Sequence, residues 1–239
     1  MVTGTPRMIT DGLVLYVDAA NTKSYPGSGT NWFDLLQSEF SGSLQNGVLF
    51  GTEANGIMRF DGTNDYIRIS HNSKFNLPTA YTISYWLKIG KVIWTFGDLI
   101  ISKRLDGQNI NYQTYVGSGS TTTTPGPYYS VGFGGNTAGS FWGVGLSGSA
   151  QQLELNKWYH IAGTYLSNRL EIYVNGLFIT GSSGLPALAT STANINISGY
   201  NNGGNPISGS MGNVWIYNRA LSASEVLQNY EATRERFGV

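Results

Sequence analysis

Cysteine is absent from the 239-residue chain, and charged side chains are scarce. Without thiols the protein forms no disulfide framework and no metal site with cysteine ligands. Charged residues make up 12% of the chain, about half the usual quarter. Fourteen basic residues balance fourteen acidic ones, without a Lys/Arg cluster, so nucleic acid is not an expected partner. The predicted surface is neutral and polar, built from Ser, Thr, Asn and Gly.

Long apolar runs are also missing. No segment approaches the roughly 18 continuous apolar residues of a membrane span, and the start, MVTGTPRMITDG, lacks the apolar region of a signal peptide. We therefore expect a soluble protein without a transmembrane segment or an ordinary signal peptide.

The stretch Lys157–Gly176, KWYHIAGTYLSNRLEIYVNG, predicts a β-hairpin. From Trp158 to Tyr165 the side chains alternate between two faces with the period of two that a strand requires. Ser167-Asn168 forms a polar corner, and Asn175-Gly176 predicts a second tight turn.

About a dozen strand candidates follow one another at intervals of roughly a dozen residues, which is typical of a sandwich or jelly roll. One helix is predicted, from about Ala223 to about Arg236, because Ser222 and Glu225 form a capping box ahead of an amphipathic pattern. We expect an N-terminal arm over residues 1–11 and a single domain over residues 12–239.

Four motifs, in order along the chain, carry a resemblance to a known family. They are FDGTNDYI, WYHIAGTY, LEIYVNG and WIYNRALSASEV. Together they resemble the laminin-G-like, or concanavalin A-like lectin/glucanase, superfamily. The front segment LYVDAANTKSYPGSGTNW and the ending NYEATRERFGV resemble the form found in bacteriophage and environmental virus structural proteins. The resemblance implies an all-β, two-sheet antiparallel jelly-roll sandwich with a short C-terminal α-helix and a concave face that often binds glycans.

Paired carboxylates for glycoside hydrolysis are not apparent in the sequence. Relatives that cleave glucans carry an E-x-D-x-E strand, whereas Glu154, Glu171 and Asp98 each stand alone. His160 shares a strand face with Trp158, which favours a structural histidine, and His71 reads as a loop residue. We therefore predict that the protein is not an enzyme.

Calcium is the cofactor that the resemblance suggests, because loops rich in Asp, Asn and Gly supply its oxygen ligands. Carried over by position, the resemblance implies a structural Ca²⁺ held by Asp18, Asp61, Gly62 and Asn213. The alternative is that Asp61 and Asp65 only make the hydrogen bonds of a tight turn.

Aromatic residues in the middle third are candidates for sugar contact, because flat rings among amide and hydroxyl groups suit a glycan. The predicted glycan-binding residues are Tyr112, Tyr115, Tyr128, Tyr129 and Trp142. The alternative is that these rings fill the core, which is the commoner use of aromatic side chains in a sandwich.

The sequence thus favours a non-catalytic structural or adhesion module on a phage or virus particle, such as a capsid decoration, head-fibre or tail-fibre component. Its expected partners are other virion proteins, copies of itself and a cell-surface glycan, and its expected location is the virion surface. The alternatives are a soluble carbohydrate-binding lectin-like module and, third, a polysaccharide-degrading enzyme.

Overall fold

The structure is a computed structural model that describes residues 6–37, 40–91, 97–105, 110–118, 129–137, 140–145 and 153–239. These residues form sixteen strands and two short α-helices, together with single 3₁₀ turns at Glu53–Asn55 and Ser73–Phe75. In chain order the strands are β1 (Leu13–Asp18), β2 (Asn31–Trp32), β3 (Gly42–Gln45), β4 (Leu49–Gly51), β5 (Ile57–Asp61), β6 (Tyr66–Ile69), β7 (Ala80–Lys91), β8 (Asp98–Arg104), β9 (Ile110–Ser118), β10 (Tyr129–Thr137), β11 (Ser140–Gly145), β12 (Trp158–Leu166), β13 (Arg169–Val174), β14 (Leu177–Ser182), β15 (Ile195–Ile197) and β16 (Ser208–Tyr217). The helices are α1 (Ala223–Glu231) and α2 (Arg234–Phe237).

Two eight-stranded sheets are formed by these strands. The first sheet has the order β14-β13-β12-β7-β16-β5-β4, with β1 also paired to β16, and the second has the order β11-β10-β9-β8-β15-β6-β3-β2. Neighbouring strands in both sheets are antiparallel. The predicted all-β sandwich of two antiparallel sheets is confirmed.

The predicted hairpin is present as β12 and β13. Its two-residue loop consists of Ser167 and Asn168, whose φ angles of 47° and 69° match the positive φ that a type I′ turn requires at both central positions. Asn175 and Gly176, with φ of 50° and 77°, make the equivalent turn into β14. The sequence prediction for both turns is confirmed.

Apolar side chains from both sheets fill the space between them. The first sheet contributes Ile83, Tyr85, Ile161, Ile172 and Ile216, and the second contributes Ile67, Ile69, Ile101, Ile195 and Ile197, all buried. Because side chains alternate along a strand, the residues between these positions point away from this core. In the second sheet those intervening residues are polar.

The C-terminal helices cover the other face of the first sheet and create a second, smaller core. Phe237 stacks on Trp86 with ring centroids 4.1 Å apart. The predicted capping box of Ser222 and Glu225 is confirmed. The predicted helix is broken at Thr233, whose φ of −132° is not helical and whose Oγ1 accepts a hydrogen bond from Trp86 Nε1 at 2.9 Å.

The described part of the N-terminal arm packs against α1. The backbone N–H of Ile9 donates to Asn229 Oδ1 at 2.8 Å, and the Ile9 carbonyl accepts from the Tyr217 hydroxyl at 2.9 Å. Gln228 Nε2 donates to the Arg7 carbonyl at 2.6 Å. Residues 7–9 are therefore part of the packed structure although their sequence carries no core pattern.

Candidate sugar-binding site

A polar row crosses the outer face of the second sheet. Arg68 of β6 lies opposite Asn196 of β15, and Asn196 in turn lies opposite Ser102 of β8. Ser102 lies opposite Gln113 of β9. Residues directly opposite each other in an antiparallel sheet share a face, so these side chains form one line that points away from the core.

A pocket with a volume of about 200 Å³ opens at this row. It is lined by Arg68, Arg104, Leu105, Ala193, Asn194, Asn196, Asn201 and Asn202. The charged groups among these lining residues are the guanidiniums of Arg68 and Arg104, and four of the other six residues are asparagines. Arginine supplies hydrogen-bond donors, whereas asparagine supplies both donors and an acceptor.

Arg68 is held in place from two sides. Its Nη2 donates to the Tyr66 hydroxyl at 2.6 Å and also hydrogen-bonds Asn202 Oδ1. Its guanidinium carbon lies 5.3 Å from the centroid of the Tyr66 ring. The alternation of β6, with Ile67 and Ile69 in the core, puts Tyr66 and Arg68 together on the outer face.

Arg104 is positioned by the neighbouring strand and by a loop. Its Nη1 donates to Gln113 Oε1 at 2.8 Å, and its guanidinium carbon lies 4.3 Å from the centroid of the Tyr200 ring. Asn201 and Asn202 follow Tyr200 with φ of 40° and 68°. Asparagine tolerates this left-handed conformation, and the resulting turn brings both amides to the rim.

Asn196 lies at the base of the pocket and is 4% exposed. Its Oδ1 has no hydrogen-bond partner among the described protein atoms. Buried polar atoms in folded proteins nearly always have a partner. An acceptor that is buried, lines a pocket and lacks a protein donor is suited to a donor on a bound molecule.

Two predicted sugar-contact residues have different environments. Tyr115 is half-buried on the outer face, opposite Gly132. A side chain at Gly132 would meet that ring, because an added Cβ would be 2.3 Å from Tyr115 Cζ. Tyr112 is fully buried between the sheets, 5.8 Å from the Tyr81 ring. The prediction of Tyr112 as a sugar-contact residue is therefore wrong, because its ring is part of the core.

The other three predicted residues are placed less fully. Tyr129 is the first residue of β10, opposite Ser118. Trp142 lies in β11, opposite Gly135. Tyr128 lies outside the described residues. These three stay predictions.

The four predicted calcium ligands fall into two groups. Asp18 pairs with Asn213 across β1 and β16. Asp61 instead lies opposite Ser208, five residues along β16, and Gly62 follows it. At about 3.3 Å per residue the two groups are roughly 16 Å apart. The prediction of one calcium site with these four ligands is therefore corrected, because the four residues are too far apart to surround one ion.

The Asp61 corner has the hydrogen bonds of a turn. The Asp61 carboxylate accepts from the backbone N–H of Thr63 at 2.7 Å, and the Asp61 N–H donates to Asp65 Oδ2 at 3.1 Å. The tight-turn alternative is therefore the interpretation that these contacts support. The described residues contain no cluster of three or more His, Asp or Glu side chains placed to hold a metal ion.

Arg236 occupies the neighbourhood of the Asp18 carboxylate. Its Nη1 donates to Asp18 Oδ1 at 2.6 Å, its Nε to the Ala54 carbonyl at 2.6 Å and its Nη2 to the Gly56 carbonyl at 2.6 Å. A carboxylate and two carbonyl oxygens are the ligand types that Ca²⁺ prefers. Here they surround a guanidinium, so Asp18 and its neighbours do not fit a calcium ion.

His160 is fully buried in the second core, where its Nε2 lies 2.8 Å from Ser84 Oγ. Burial lowers its pKa to about 3, so the imidazole is neutral. The expectation of a structural histidine is confirmed by this burial.

Lys103 is a buried cation that the sequence did not reveal. Its Nζ donates to the Ser191 and Ala193 carbonyls at 2.6 and 2.7 Å and lies 3.1 Å from His71 Nδ1. Burial lowers its pKa to about 8. Its contact Ala193 lines the pocket, so this ammonium group lies directly behind the pocket wall.

Residues 61–227 match the laminin G type of the concanavalin A-like lectin/glucanases superfamily, which is more than half of the chain. The chain belongs to this family. No curated protein matches it. None of the described helices is long and apolar enough to cross a membrane.

Solved structures share the fold at low sequence identity. The binding domain of Paraclostridial Mosquitocidal Protein 1 is 18% identical with a TM-score of 0.71, and the match covers 92% of this chain and 52% of that domain. Domain 4 of AbnA, an arabinanase from Geobacillus stearothermophilus solved with arabinotriose, is 14% identical with a TM-score of 0.64, covering 91% and 98%. Trypanosoma rangeli sialidase, solved with sialic acid, is 17% identical with a TM-score of 0.68, covering 96% and 34%. The chain therefore spans about half of the mosquitocidal binding domain and about a third of the sialidase.

Proposed function

We propose that the protein is a non-catalytic carbohydrate-binding module. Its sugar site is the pocket beside the polar row that contains Arg68 and Asn196. The observation that carries this proposal is the unpaired acceptor of Asn196 at the base of a pocket lined by amides and guanidiniums. Sugar hydroxyls both donate and accept, so they match such a lining. A volume of about 200 Å³ lies below the roughly 300–1,000 Å³ of pockets for drug-sized ligands, which suits one sugar ring.

Tyrosine rings near the pocket support the same use. Tyr200 is half-buried beside Arg104, and Tyr115 is half-buried on the same face of the sheet. Aromatic rings offer flat apolar surfaces with a hydroxyl at the edge. The arabinanase domain and the sialidase were solved with a sugar, which supports a carbohydrate ligand for a chain of this fold.

A binding role is favoured over hydrolysis by the placement of the carboxylates. Glu154 forms an ion pair with Lys157 at 2.8 Å, and Glu171 pairs with Arg169 at 2.6 Å. The described lining of the pocket contains no carboxylate, whereas a glycosidase of the usual kind needs two beside the scissile bond. The proposed module therefore holds a sugar without cleaving it.

A glycan array followed by titration calorimetry tests the proposal. Asn202→Gly removes one rim amide without backbone strain, because glycine accepts the φ of 68° at this position. Asn156→Gly, at φ of 62° in the loop ahead of β12, is the matched control. We expect Asn202→Gly to weaken binding and Asn156→Gly to leave it unchanged. A blank array, or hydrolysis of a bound glycan, would contradict the proposal.

We further propose that the module works on a phage or virus particle, where its partners are other virion proteins and copies of itself. The support is the resemblance of the segment from Leu15 to Trp32 and of the C-terminal residues to forms found in such particles. Both segments belong to the packed fold, since Leu15, Val17 and Trp32 are in the main core and α1 and α2 lie on the first sheet. Mass spectrometry of purified particles should detect the chain in a fixed ratio to the capsid protein. Recovery only as a free protein would favour the soluble lectin instead.

A further inference from the structure

We infer that the pocket on the second sheet selects sugars that carry a carboxylate, and this inference rests on the proposed function. The relevant observation is that Arg68 and Arg104 line one small pocket from two strands that flank β15. Neighbouring strands are about 4.8 Å apart, so the two backbones are separated by roughly 10 Å and both long side chains reach the shared space.

Each guanidinium is held in a fixed orientation before any ligand arrives. The Tyr66 hydroxyl and Asn202 fix Arg68, and the Gln113 amide and the Tyr200 ring fix Arg104. Arg68 makes both of its contacts through Nη2, one nitrogen of a planar group with five N–H donors. A carboxylate accepts charge-assisted hydrogen bonds from a guanidinium, and these are stronger than hydrogen bonds to a neutral hydroxyl.

The electrostatics of the described lining favour an anion. Two cations and four amides line the pocket, without a carboxylate among them. Lys103 adds a third cation behind the wall, and its contacts at Ser191, Ala193 and His71 are with groups that carry no negative charge. Lysine is rarely fully buried unless it is paired, so an anion in front of this wall offsets part of the cost of burying the ammonium.

The remaining polar groups suit the rest of a sugar ring. The Asn196 acceptor at the base can take a hydrogen bond from a hydroxyl or an N-acetyl N–H. Asn201 and Asn202 at the rim are exposed amides within reach of ring hydroxyls. Carboxylate recognition by arginine and hydroxyl recognition by asparagine together define the class of ligand: a sialic acid or a uronic acid within a glycan.

Paired glycans that differ only in the acid group test the inference. Sialyllactose is compared with its own methyl ester, and oligogalacturonate with its methyl ester, by titration calorimetry on the full chain. We expect binding to at least one acidic member and about 10- to 100-fold weaker binding to its neutral partner, as the loss of charged hydrogen bonds predicts. The first pair reports on sialic acid and the second on uronic acid.

Variants assign the effect to the pocket. Arg68→Gln should weaken binding of the acidic glycan about tenfold or more, and Arg68→Lys should recover part of the loss because it keeps the charge without the planar guanidinium. Arg59→Gln, an exposed arginine of β5 in the first sheet, is the matched control and should bind normally. Thermal melting of each variant separates loss of binding from loss of fold.

The outcomes distinguish this inference from the proposed function. Equal binding of the acidic and neutral members would overturn the carboxylate preference while the carbohydrate-binding role stands. Acid-selective binding that Arg68→Gln and Arg104→Gln both leave unchanged would overturn the assignment to this pocket. Absence of binding to every glycan on a broad array would overturn both.

Discussion

Arg236 and Asp18 form an ion pair that joins the C-terminal end of the chain to the first strand, with Nη1 and Oδ1 2.6 Å apart. The side chains are only 14% and 12% exposed. The same guanidinium also binds the Ala54 and Gly56 carbonyls. One side chain thus fixes α2, β1 and the turn before β5 relative to one another.

Removal of this guanidinium should destabilise the fold. We expect Arg236→Met to lower the free energy of unfolding by about 2–4 kcal/mol, because a partly buried carboxylate loses its partner. For a chain of this size this is a fall in Tm of roughly 5–15 °C. Thermal melting followed by circular dichroism measures it.

Arg234 provides the control for Arg236. It pairs with Glu231 at 2.6 Å, but both side chains are about 40% exposed. Exposed pairs contribute about 0–1 kcal/mol, so Arg234→Met should melt close to the wild type. Equal losses in the two variants would contradict the role assigned to Arg236.

Calcium should not stabilise the protein through Asp18. After EDTA treatment, we expect the wild type to show the same Tm with and without added Ca²⁺, because a guanidinium already binds the Asp18 oxygen and the two carbonyls. Calorimetric titration with Ca²⁺ gives an independent measurement. A saturable heat that disappears in Asp18→Asn would show that the ion displaces Arg236 and would overturn this expectation.

The stability of the fold should fall on mild acidification because of His160. Its pKa is lowered by burial to about 3, whereas in the unfolded chain it is about 6.5. Below pH 6.5 the unfolded state therefore binds a proton that the folded state does not, and the free energy of unfolding decreases until the pH reaches about 3. Between about pH 6.5 and pH 5, where most carboxylates have not yet begun to bind protons, the free energy of unfolding falls by at most about 2 kcal/mol.

Denaturant unfolding at a series of pH values measures this effect. His160→Gln should flatten the slope above pH 5, although it lowers stability at neutral pH through the lost contact with Ser84. His71→Gln is the comparison variant, because it removes the other histidine, which is half-exposed. The pKa of His71 is also lowered, by burial and by the charge of Lys103. An unchanged slope in His160→Gln would contradict the assignment.

The sequence predicted local structure well because local signals decide it. Ser167-Asn168 and Asn175-Gly176 tolerate positive φ, and this chemistry alone specifies the turns of the hairpin. Ser222 and Glu225 specify the start of α1 in the same way. The break at Thr233 was missed because it depends on a hydrogen bond from Trp86, 147 residues away.

The candidate site was missed for a related reason. Alternation in β6 puts Arg68 on a polar face, but the pairing of β6 with β15 joins residues that are more than a hundred positions apart. The pocket exists only after that pairing, so no local pattern combines Arg68 with Asn196. Tyr112 illustrates the same limit, because which face of its strand lies in the core depends on the neighbouring strands.

Gly163 of β12 and Phe133 of β10 join the two sheets and permit a test of core packing. A Cβ added at Gly163 would lie 2.4 Å from the Phe133 ring, which is fully buried. We expect Gly163→Ala to lower the free energy of unfolding by about 1–3 kcal/mol, because overpacking forces a rigid ring to shift. Gly90→Ala is the control, since its nearest neighbour would be Ser208 O at 3.5 Å, an ordinary contact.

The double variant Gly163→Ala/Phe133→Leu should recover part of the loss in denaturant unfolding, because the smaller side chain leaves room for the methyl group. Strictly additive losses in the double variant would show that the two residues do not compete for this space.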